Sequence, residues 1–313
     1  MNATRTLSLL CILLSLGLTY PTFPAKAQSS ESPASIERFY VPGGSWGFAF
    51  DGENIWVVPY LGENVTKLRA SDGTLLGTFP AGPSTMNAAF DGENIWVTNF
   101  TANKVTKLRA SDGTLLGTFP AGNRPYGILY DGSSIWVAND YAHTVSKLRP
   151  DDGTTIGVYN VGVGPIKLAF DGRSIWVTNA GGGTVTKLRA SDGERQGEFG
   201  VGQGPIGIAF DGAHIWVAGY LGRTVSALRP SDGALLDSFQ VAFHPSNLAV
   251  DGNQVWVVDF EDKAVVTFDQ RSGTRQHMYQ VDGAPQDVFF DGTSIWVACY
   301  DGDVVDKITR TRP

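Results

Sequence analysis

The stretch Asp131-Gly-Ser-Ser-Ile-Trp-Val137 decides the fold, because it is one of seven copies of Asp-Gly-x-x-(Ile/Val)-Trp-Val at a constant spacing of 40 residues. Seven of the eight tryptophans belong to these copies. A fixed period of about 40 residues indicates a repeat architecture, in which each unit buries its apolar side chains against its neighbours. The copies begin at Asp51, Asp91, Asp131, Asp171, Asp211, Asp251 and Asp291.

Each repeat contains four short segments with the character of β-strands, as residues 125–159 illustrate. Apolar runs at 125–130 and 135–138 flank Asp131-Gly132, and an alternating segment at 144–149 and a fourth run at 155–159 flank Asp152-Gly153. Asp-Gly pairs between apolar runs are typical of tight hairpin turns. No segment has a sustained apolar period of 3.6 residues, so helices are not expected. The sequence predicts an all-β fold with four antiparallel strands in each repeat.

Four-stranded repeats of this length are typical of β-propeller blades, whereas the repeats of a linear β-solenoid, the alternative, are usually shorter. The two ends of the chain favour a closed ring. Residues 285–309 supply only three strands of a seventh blade, and residues 36–42 match the register of the missing outer strand. We therefore predict one seven-bladed β-propeller over residues 36–313, in which the N-terminal strand closes the last blade.

The first 27 residues have the features of a secretory leader. Arg5 precedes an apolar run from Leu7 to Leu18, and Ala25-Lys26-Ala27 is similar to a cleavage site. The run is shorter than the roughly 20 residues that a membrane-spanning helix needs. We predict a cleaved signal peptide at 1–27, a short linker at 28–35, and a secreted or periplasmic protein.

The chain is acidic, with 31 Asp and Glu against 24 Lys and Arg and a formal net charge of −7. Loss of residues 1–27 would lower this charge by two, to −9, because it removes Arg5, Lys26 and no acid. Nucleic acids and anionic membranes bind basic surfaces, so neither is an expected partner of the mature chain. Cys299 would be its single cysteine, which we expect to be a small buried side chain. We predict a monomer.

The repeated residues have a structural interpretation. A large aromatic side chain in the middle of a strand fills the space between adjacent blades, so the seven tryptophans are expected to hold the ring together. The Lys-x-Arg pairs that precede the second Asp-Gly turn are expected to bond turn carboxylates and carbonyl groups. These pairs are Lys67/Arg69, Lys107/Arg109, Lys147/Arg149 and Lys187/Arg189.

In a propeller, the Asp-Gly turns lie on one face, and the loops that differ between repeats lie on the other, here called the variable face. It consists of the loops after each Trp strand and the loops that lead into each innermost strand. Loops on a rigid scaffold commonly carry binding, so we place the candidate site at this face and at the mouth of the central channel.

Two sets of side chains on the variable face are candidate ligand-binding residues. Aromatic residues four positions after Trp could form a platform, or each could pack on its own loop. Residues that lead into the innermost strands could converge on the channel mouth, where water filling would equally allow polar groups. The first set is Tyr60, Phe100, Tyr220, Phe260 and Tyr300, and the second is Trp46, Asn87, Tyr126, Lys167, Asn247 and Asp287, with Arg124 nearby.

Acidic residues cluster in the loops of the last two repeats. Asp259, Asp287 and Asp301 are candidate ligands for a divalent cation, Ca²⁺ or Mg²⁺, because hard cations prefer carboxylate and carbonyl oxygens. Their spacing matches no defined calcium loop, and a solvated acidic rim is the alternative. No motif requires a cofactor.

The pattern Pro-x-Gly-Ile-x-(Phe/Tyr)-Asp-Gly-x-x-Ile-Trp-Val-x-Asn, at Pro125–Asn139 and closely at Pro205–Gly219, resembles the YVTN and NHL-type propeller repeats. Those families include the streptogramin B (virginiamycin B) lyase-like proteins. The resemblance covers the chain from about Ile36 and implies a propeller. It also implies, as one function, a metal-dependent lyase that uses histidine and acidic residues on the variable face.

The sequence favours a binding or interaction module over an enzyme. It has no nucleophile elbow, phosphate loop or Cys/His zinc pattern. Two histidines, His143 and His244, fall on the variable face in distant repeats, which leaves His244 with an aspartate such as Asp287 as the candidate acid–base pair. We predict a module that binds a small molecule, a saccharide or a protein, with the lyase as the alternative.

Overall fold

The computed structural model describes residues 34–241 and 243–310, which form 27 β-strands and no α-helix. None of these residues therefore supplies a helix that could cross a membrane. The strand pairings are antiparallel, and the strands form seven blades of four. The predicted all-β, seven-bladed propeller is confirmed.

The strands follow the repeats in order. Blade 1 contains β2 (Gly47–Phe50), β3 (Asn54–Val58), β4 (Gly62–Arg69) and the first half of β5 (Leu75–Phe90), and blade 2 contains the second half of β5, β6 (Asn94–Asn99), β7 (Lys104–Arg109) and β8 (Leu115–Pro120). Blade 3 contains β9 (Pro125–Tyr130), β10 (Ile135–Asn139), β11 (Thr144–Leu148) and β12 (Thr155–Asn160). Blade 4 contains β13 (Pro165–Phe170), β14 (Ser174–Asn179), β15 (Thr184–Arg189) and β16 (Arg195–Gly200).

Blade 5 contains β17 (Pro205–Phe210), β18 (Ile215–Gly219), β19 (Thr224–Leu228) and β20 (Leu235–Gln240). Blade 6 contains β21 (Pro245–Val250), β22 (Gln254–Asp259), β23 (Ala264–Asp269) and β24 (Arg275–Gln280). Blade 7 contains β25 (Pro285–Phe290), β26 (Ile295–Cys299), β27 (Val304–Arg310) and, as its outer strand, β1 (Ala34–Tyr40).

The N-terminal strand closes the ring as predicted. Strand β1 pairs antiparallel with β27 in a register that places Ile36 opposite Ile308. The Phe39 ring packs on Trp296 with 5.7 Å between ring centroids. The strand begins two residues earlier than the predicted boundary and ends at Tyr40, after which the Val41 amide donates to the Asp303 carbonyl. The predicted signal peptide lies outside the described residues.

Blades 1 and 2 differ from the other pairs, because β5 is one strand of 16 residues whose halves belong to both blades. The sequence predicts two separate strands here. The pairing continues across the link because Gly62 lies opposite Thr85 and the Leu61 amide donates to the Thr85 carbonyl.

The repeated tryptophans fill the space between blades. Each indole Nε1 donates to the carboxylate of the aspartate that begins its own repeat, at 2.7–2.9 Å. An aromatic side chain of the outer strand packs on each indole. The seven rings, which are at most 1% exposed, are Trp56, Trp96, Trp136, Trp176, Trp216, Trp256 and Trp296. The predicted structural role of the repeat is therefore confirmed.

Lysines tie each of five blades to the next. Each ammonium lies 5.0–5.4 Å from the centroid of its own blade's tryptophan ring. It donates at 2.6–2.7 Å to a backbone carbonyl of the following blade. In blades 1 to 4, the arginine two residues after the lysine bonds the aspartate of its own turn instead. These lysines are Lys67, Lys107, Lys147, Lys187 and Lys307.

Candidate ligand site at the channel mouth

The variable face contains residues other than glycine in the left-handed backbone conformation, whereas the turns of the opposite face use glycine for it. At the turns of the opposite face, which include Ser272-Gly273 in blade 6, the residue with positive φ is glycine. The described residues other than glycine that have positive φ all lie at the variable face, in its loops or, for Ser84, where β5 passes between blades 1 and 2: Leu61, Ser84, Asn103, Arg124, His143, Arg223, Lys263 and Asp303. A left-handed conformation costs an L-residue about 1–2 kcal/mol. Such strain is concentrated at functional sites in proteins, so it favours the variable face as the working surface.

The innermost strands of all seven blades enclose a central cavity of about 330 Å³. It is lined by four of the predicted polar residues, Asn87, Lys167, Asn247 and Asp287. The Lys167 ammonium donates to Asp287 Oδ2 at 2.9 Å across the ring, from blade 4 to blade 7. Asn247 Nδ2 and the Val288 amide donate to Asp287 Oδ1. The structure therefore brings these predicted residues together.

The cavity has hydrogen-bond donors that lack an acceptor among the described residues. Both oxygens of Asp287 are occupied by Lys167, Asn247 and the Val288 amide. The Lys167 ammonium has three N–H groups, of which Asp287 takes one. The buried Nδ2 of Asn87 has no hydrogen-bond partner among the described residues. The cavity is therefore suited to oxygen acceptors.

A cluster of aromatic and apolar side chains lies beside the mouth on blades 1 to 4. Its buried members are Trp46, Met86, Phe100 and Tyr126, and Tyr60 and Ile166 pack against them. Burial raises the pKa of the Tyr126 phenol far above its usual value, so the phenol is neutral. Four members, Trp46, Met86, Tyr126 and Ile166, directly precede Gly47, Asn87, Gly127 and Lys167 in the sequence. The cluster therefore adjoins the polar cavity.

The predicted aromatic platform is only partly assembled. Tyr60 and Tyr300 both contact Trp46, with ring centroids 4.5 and 5.8 Å away. Phe100 meets Tyr126 edge-on at 6.1 Å. Tyr220, on the far side of the ring, packs on His244 at 5.0 Å instead, and Phe260 is half-buried in blade 6.

Arg124 does not line the cavity. Its guanidinium stacks on the Tyr141 ring at 4.3 Å and lies 5.3 Å from the Phe100 ring. Arg124 therefore borders the aromatic cluster, and Tyr141 is a neighbour that the sequence did not indicate.

His244 has partners that differ from the predicted one. Its Nδ1 lies 2.6 Å from Glu261 Oε1, and Arg223 Nε donates to its Nε2 at 3.1 Å. Because Nε2 accepts this hydrogen bond, Nδ1 carries the proton and donates to Glu261. Neither ring nitrogen is free, and Asp287 pairs with Lys167 instead. The sequence analysis did not predict that Arg223 contacts His244. Arg223 lies seven residues after Trp216, and the residues seven positions after other repeated tryptophans also have positive φ: His143, Lys263 and Asp303.

The three candidate metal ligands have separate partners. Asp259 is buried and accepts hydrogen bonds from the amides of Glu261 and Asp262, and burial raises its pKa to about 6. Asp301 binds Lys263 and the Ala284 amide, and these bonds lower its pKa although burial opposes the shift. Within residues 34–241 and 243–310, no three His, Cys, Asp or Glu side chains form a group that could hold a metal ion. The geometry does not favour a cation shared by Asp259, Asp287 and Asp301.

Cys299 is fully buried in blade 7. Burial raises the pKa of its thiol well above the usual value, so it is a structural side chain, as predicted.

Comparison with known proteins gives one family match and several similar solved structures. Residues 169–307 match the family described as outer membrane protein assembly factor BamB. No curated protein matches the sequence. A virginiamycin B lyase from Staphylococcus aureus superimposes with a TM-score of 0.77 at 19% identity, over 88% of this chain and 99% of the lyase chain.

Two further solved structures are similar. A streptogramin B lyase has a TM-score of 0.76 at 20% identity, over 89% of this chain and 98% of its own. The Kuenenia stuttgartiensis hydrazine synthase has a TM-score of 0.75 at 17% identity, over 87% and 96%. At these identities, the likeness extends to the fold alone. The chain therefore has a β-propeller fold of the streptogramin B lyase type.

Proposed function

We propose that the protein is a binding module whose ligand is a small molecule with a ring and oxygen acceptors. The ligand would occupy the channel mouth on the variable face. The observation that carries this proposal is the side-chain Nδ2 of Asn87, a buried donor at the cavity that has no hydrogen-bond partner among the described residues. A buried donor without a partner costs about 1–3 kcal/mol, and a ligand oxygen would offset that cost.

The two parts of the mouth match the two parts of such a ligand. Lys167 and Asn87 would bond its carboxylate, carbonyl or hydroxyl oxygens. The rings of Trp46 and Tyr60, which lie beside the cavity, would contact an aromatic or sugar ring. Ligand binding would also explain the backbone strain in the loops of this face, because these loops would present side chains to the ligand.

The binding role is favoured over the metal-dependent lyase. A general base needs a free nitrogen or oxygen within reach of the substrate proton, and both nitrogens of His244 are engaged by Arg223 and Glu261. The separate partners of Asp259 and Asp301 point the same way.

We also propose that the module is secreted or periplasmic. The leader-like residues 1–27 support this location, and so does the match to a family named for outer membrane assembly. Cell fractionation and N-terminal sequencing would test it. A chain that keeps its first 27 residues in the cytoplasm would contradict the proposal.

Calorimetric titration with three compounds tests the binding function. Phenylacetate carries a ring and a carboxylate, methyl β-glucoside carries a neutral ring with hydroxyl groups, and phenethylammonium reverses the charge of phenylacetate. Because the mouth offers donors, we expect phenylacetate or the glucoside to bind at millimolar concentration and phenethylammonium to bind more weakly at the mouth.

Two variants separate a binding role from a structural one. Asn87→Ala should weaken binding while stability stays equal or rises, because the variant removes an unsatisfied buried amide. Asn123→Ala, at an exposed position on the same face, is the matched control and should leave binding unchanged. Absence of binding by all three compounds, or equal losses in the two variants, would contradict the proposal.

A further inference from the structure

A second cavity, of about 520 Å³, opens between blades 5 and 6 on the Asp-Gly face, away from the channel mouth. Its walls include Asp211, Trp216 and Ala227 of blade 5 and Gln270 and Arg271 of blade 6. We call it the Ala227 cavity. It lies where the repeat normally places a lysine, because Ala227 is opposite Trp216 in the strand pairing as Lys187 is opposite Trp176.

The other blades define what this cavity lacks. In blade 4, the Lys187 ammonium lies 5.1 Å from the Trp176 ring centroid and donates to the carbonyls of Pro230 and Ser231. Those acceptors are 43 and 44 residues further along the chain. The same offsets from Ala227 lead to Gln270 and Arg271, which line the cavity.

Blade 6 also lacks the lysine, but its place is filled. Thr267 occupies the position opposite Trp256. The Arg310 guanidinium lies 5.1 Å from the Trp256 ring centroid and bonds Asp251 and Gln254. Six of the seven repeated tryptophans in the described residues therefore have a lysine or arginine over the ring, and Trp216 has an alanine methyl group at that place.

The Ala227 cavity is also more acidic than the equivalent space in blades 1 to 4. In blades 1 to 4, the residue opposite the lysine on the outer strand is glycine, as Gly197 is to Lys187. In blade 5, it is Asp237, opposite Ala227, and Asp237 also lines the cavity. Blade 5 has thus lost a cation and gained a carboxylate at one position. Arg271 also lines the cavity, but its guanidinium interacts with the carboxylate of Asp269 on the same turn. The pKa of Asp269 is lowered by hydrogen bonds from Ser272 and, to a smaller extent, by the Arg271 charge.

We propose that the Ala227 cavity binds a primary alkylammonium group, from a free amine or from the lysine side chain of a partner. The ammonium would lie over the Trp216 ring, near Asp211 and Asp237, and would donate to the Gln270 and Arg271 carbonyls. Its alkyl chain would fill the space that the lysine stem fills in blades 1 to 4. This site is independent of the channel mouth.

Indole N–H signals in an ¹H–¹⁵N NMR titration with n-butylammonium chloride test the proposal. His214 also lines the cavity, with its Nδ1 3.3 Å from Asp211 Oδ2, so every titration is run at one constant pH. We expect a saturable shift of the Trp216 signal, no shift of the Trp176 signal, and no effect of n-butanol, which has the chain without the charge.

Three variants sharpen the test. Ala227→Lys supplies the ammonium from the chain itself and should abolish the Trp216 response. Asp237→Gly restores the residue of blades 1 to 4 and should weaken binding at least several-fold. Lys187→Ala opens the equivalent space in blade 4 and should make the Trp176 signal respond as well. An unresponsive Trp216 signal in the wild type, or an unchanged response in Ala227→Lys, would overturn the proposal.

The source of the amine is distinguished by comparing n-butylammonium with an acetyl-lysyl-methylamide whose side-chain amine is free. Tighter binding of the peptide would assign the cavity to a partner's lysine, and tighter binding of n-butylammonium would assign it to a free amine. Binding of neither compound would overturn the site in both forms.

Discussion

Replacement of Asp171 by alanine tests the structural role of the Asp-Gly-Trp repeat. The Asp171 carboxylate accepts hydrogen bonds from the amides of Arg173 and Ser174, at 2.8 and 2.6 Å, and from Trp176 Nε1 at 2.7 Å. Trp176 is fully buried, so its indole N–H would lose its acceptor without gaining water. That loss costs about 1–3 kcal/mol, and the loosened turn adds about 0.5–1 kcal/mol. We expect the free energy of unfolding to fall by about 1.5–4 kcal/mol.

Asp192→Ala is the matched control, because Asp192 begins the second Asp-Gly turn of the same blade. It is exposed, and its partners are the Glu194 amide and the Arg189 guanidinium. Exposed ion pairs contribute little to stability, so this variant should unfold almost like the wild type. Asp171→Asn keeps an acceptor for the turn amides but presents its amide group to the indole. It should therefore fall between the wild type and Asp171→Ala.

Equilibrium unfolding in urea, followed by tryptophan fluorescence and circular dichroism, measures these differences. The two probes must report the same transition, because a ring of seven blades need not unfold in one step. Equal effects of Asp171→Ala and Asp192→Ala would refute the structural interpretation. An Asp171→Ala variant as stable as the wild type would refute it too.

Three further predictions concern closure, pH and backbone strain. Phe39→Ala should lower the free energy of unfolding in urea by about 1.5–3 kcal/mol, because Phe39 packs on Trp296. Tyr40→Ala, at the exposed neighbour, should lower it by less than about 0.5 kcal/mol. Equal losses in the two variants would contradict closure of the ring by β1. Burial raises the pKa of Asp259 to about 6 from 3.8, so its contribution to stability is complete below pH 3.8 and is lost as the pH rises through 6. Between pH 4 and 7, the wild type should lose up to about 3 kcal/mol relative to Asp259→Asn, and parallel pH profiles would contradict this. Lys263→Gly removes a left-handed lysine with a φ of 51° and should raise the stability by about 0.5 kcal/mol, a gain that a lowered melting temperature would contradict.

Features that depend on one repeat and its period could be predicted from the sequence. The hairpins around Asp131 and Asp152 are local, and the match of residues 36–42 to an outer strand placed both chain ends in one blade. The 40-residue period also predicted that Lys167 and Asp287 occupy equivalent positions of their blades. The sequence left open whether they converge on the channel mouth, and the structure brings them to 2.9 Å.

Contacts that depend on how individual loops fold could not be predicted. His244 bonds Glu261 and Arg223 because the loops of blades 5 and 6 meet there, and the repeat period does not encode that meeting. The continuous strand β5 depends on pairing between Gly62 and Thr85, which no other blade link shares in the same form. The burial of Asp259 likewise depends on its own loop amides, whereas the sequence left a cation site and a solvated acidic rim as the alternatives.

The claim that ligands bind at the channel mouth is tested most directly by ¹³C-methyl NMR of the methionines. Met86 belongs to the aromatic cluster at the mouth, and Met278 packs against the core on the outer strand of blade 6, so the chain contains both a reporter and its control. Titration with phenylacetate and methyl β-glucoside should shift the Met86 methyl signal in a saturable manner and leave that of Met278 unchanged. A shift of Met278 alone, or no shift of Met86 with either compound, would contradict the account.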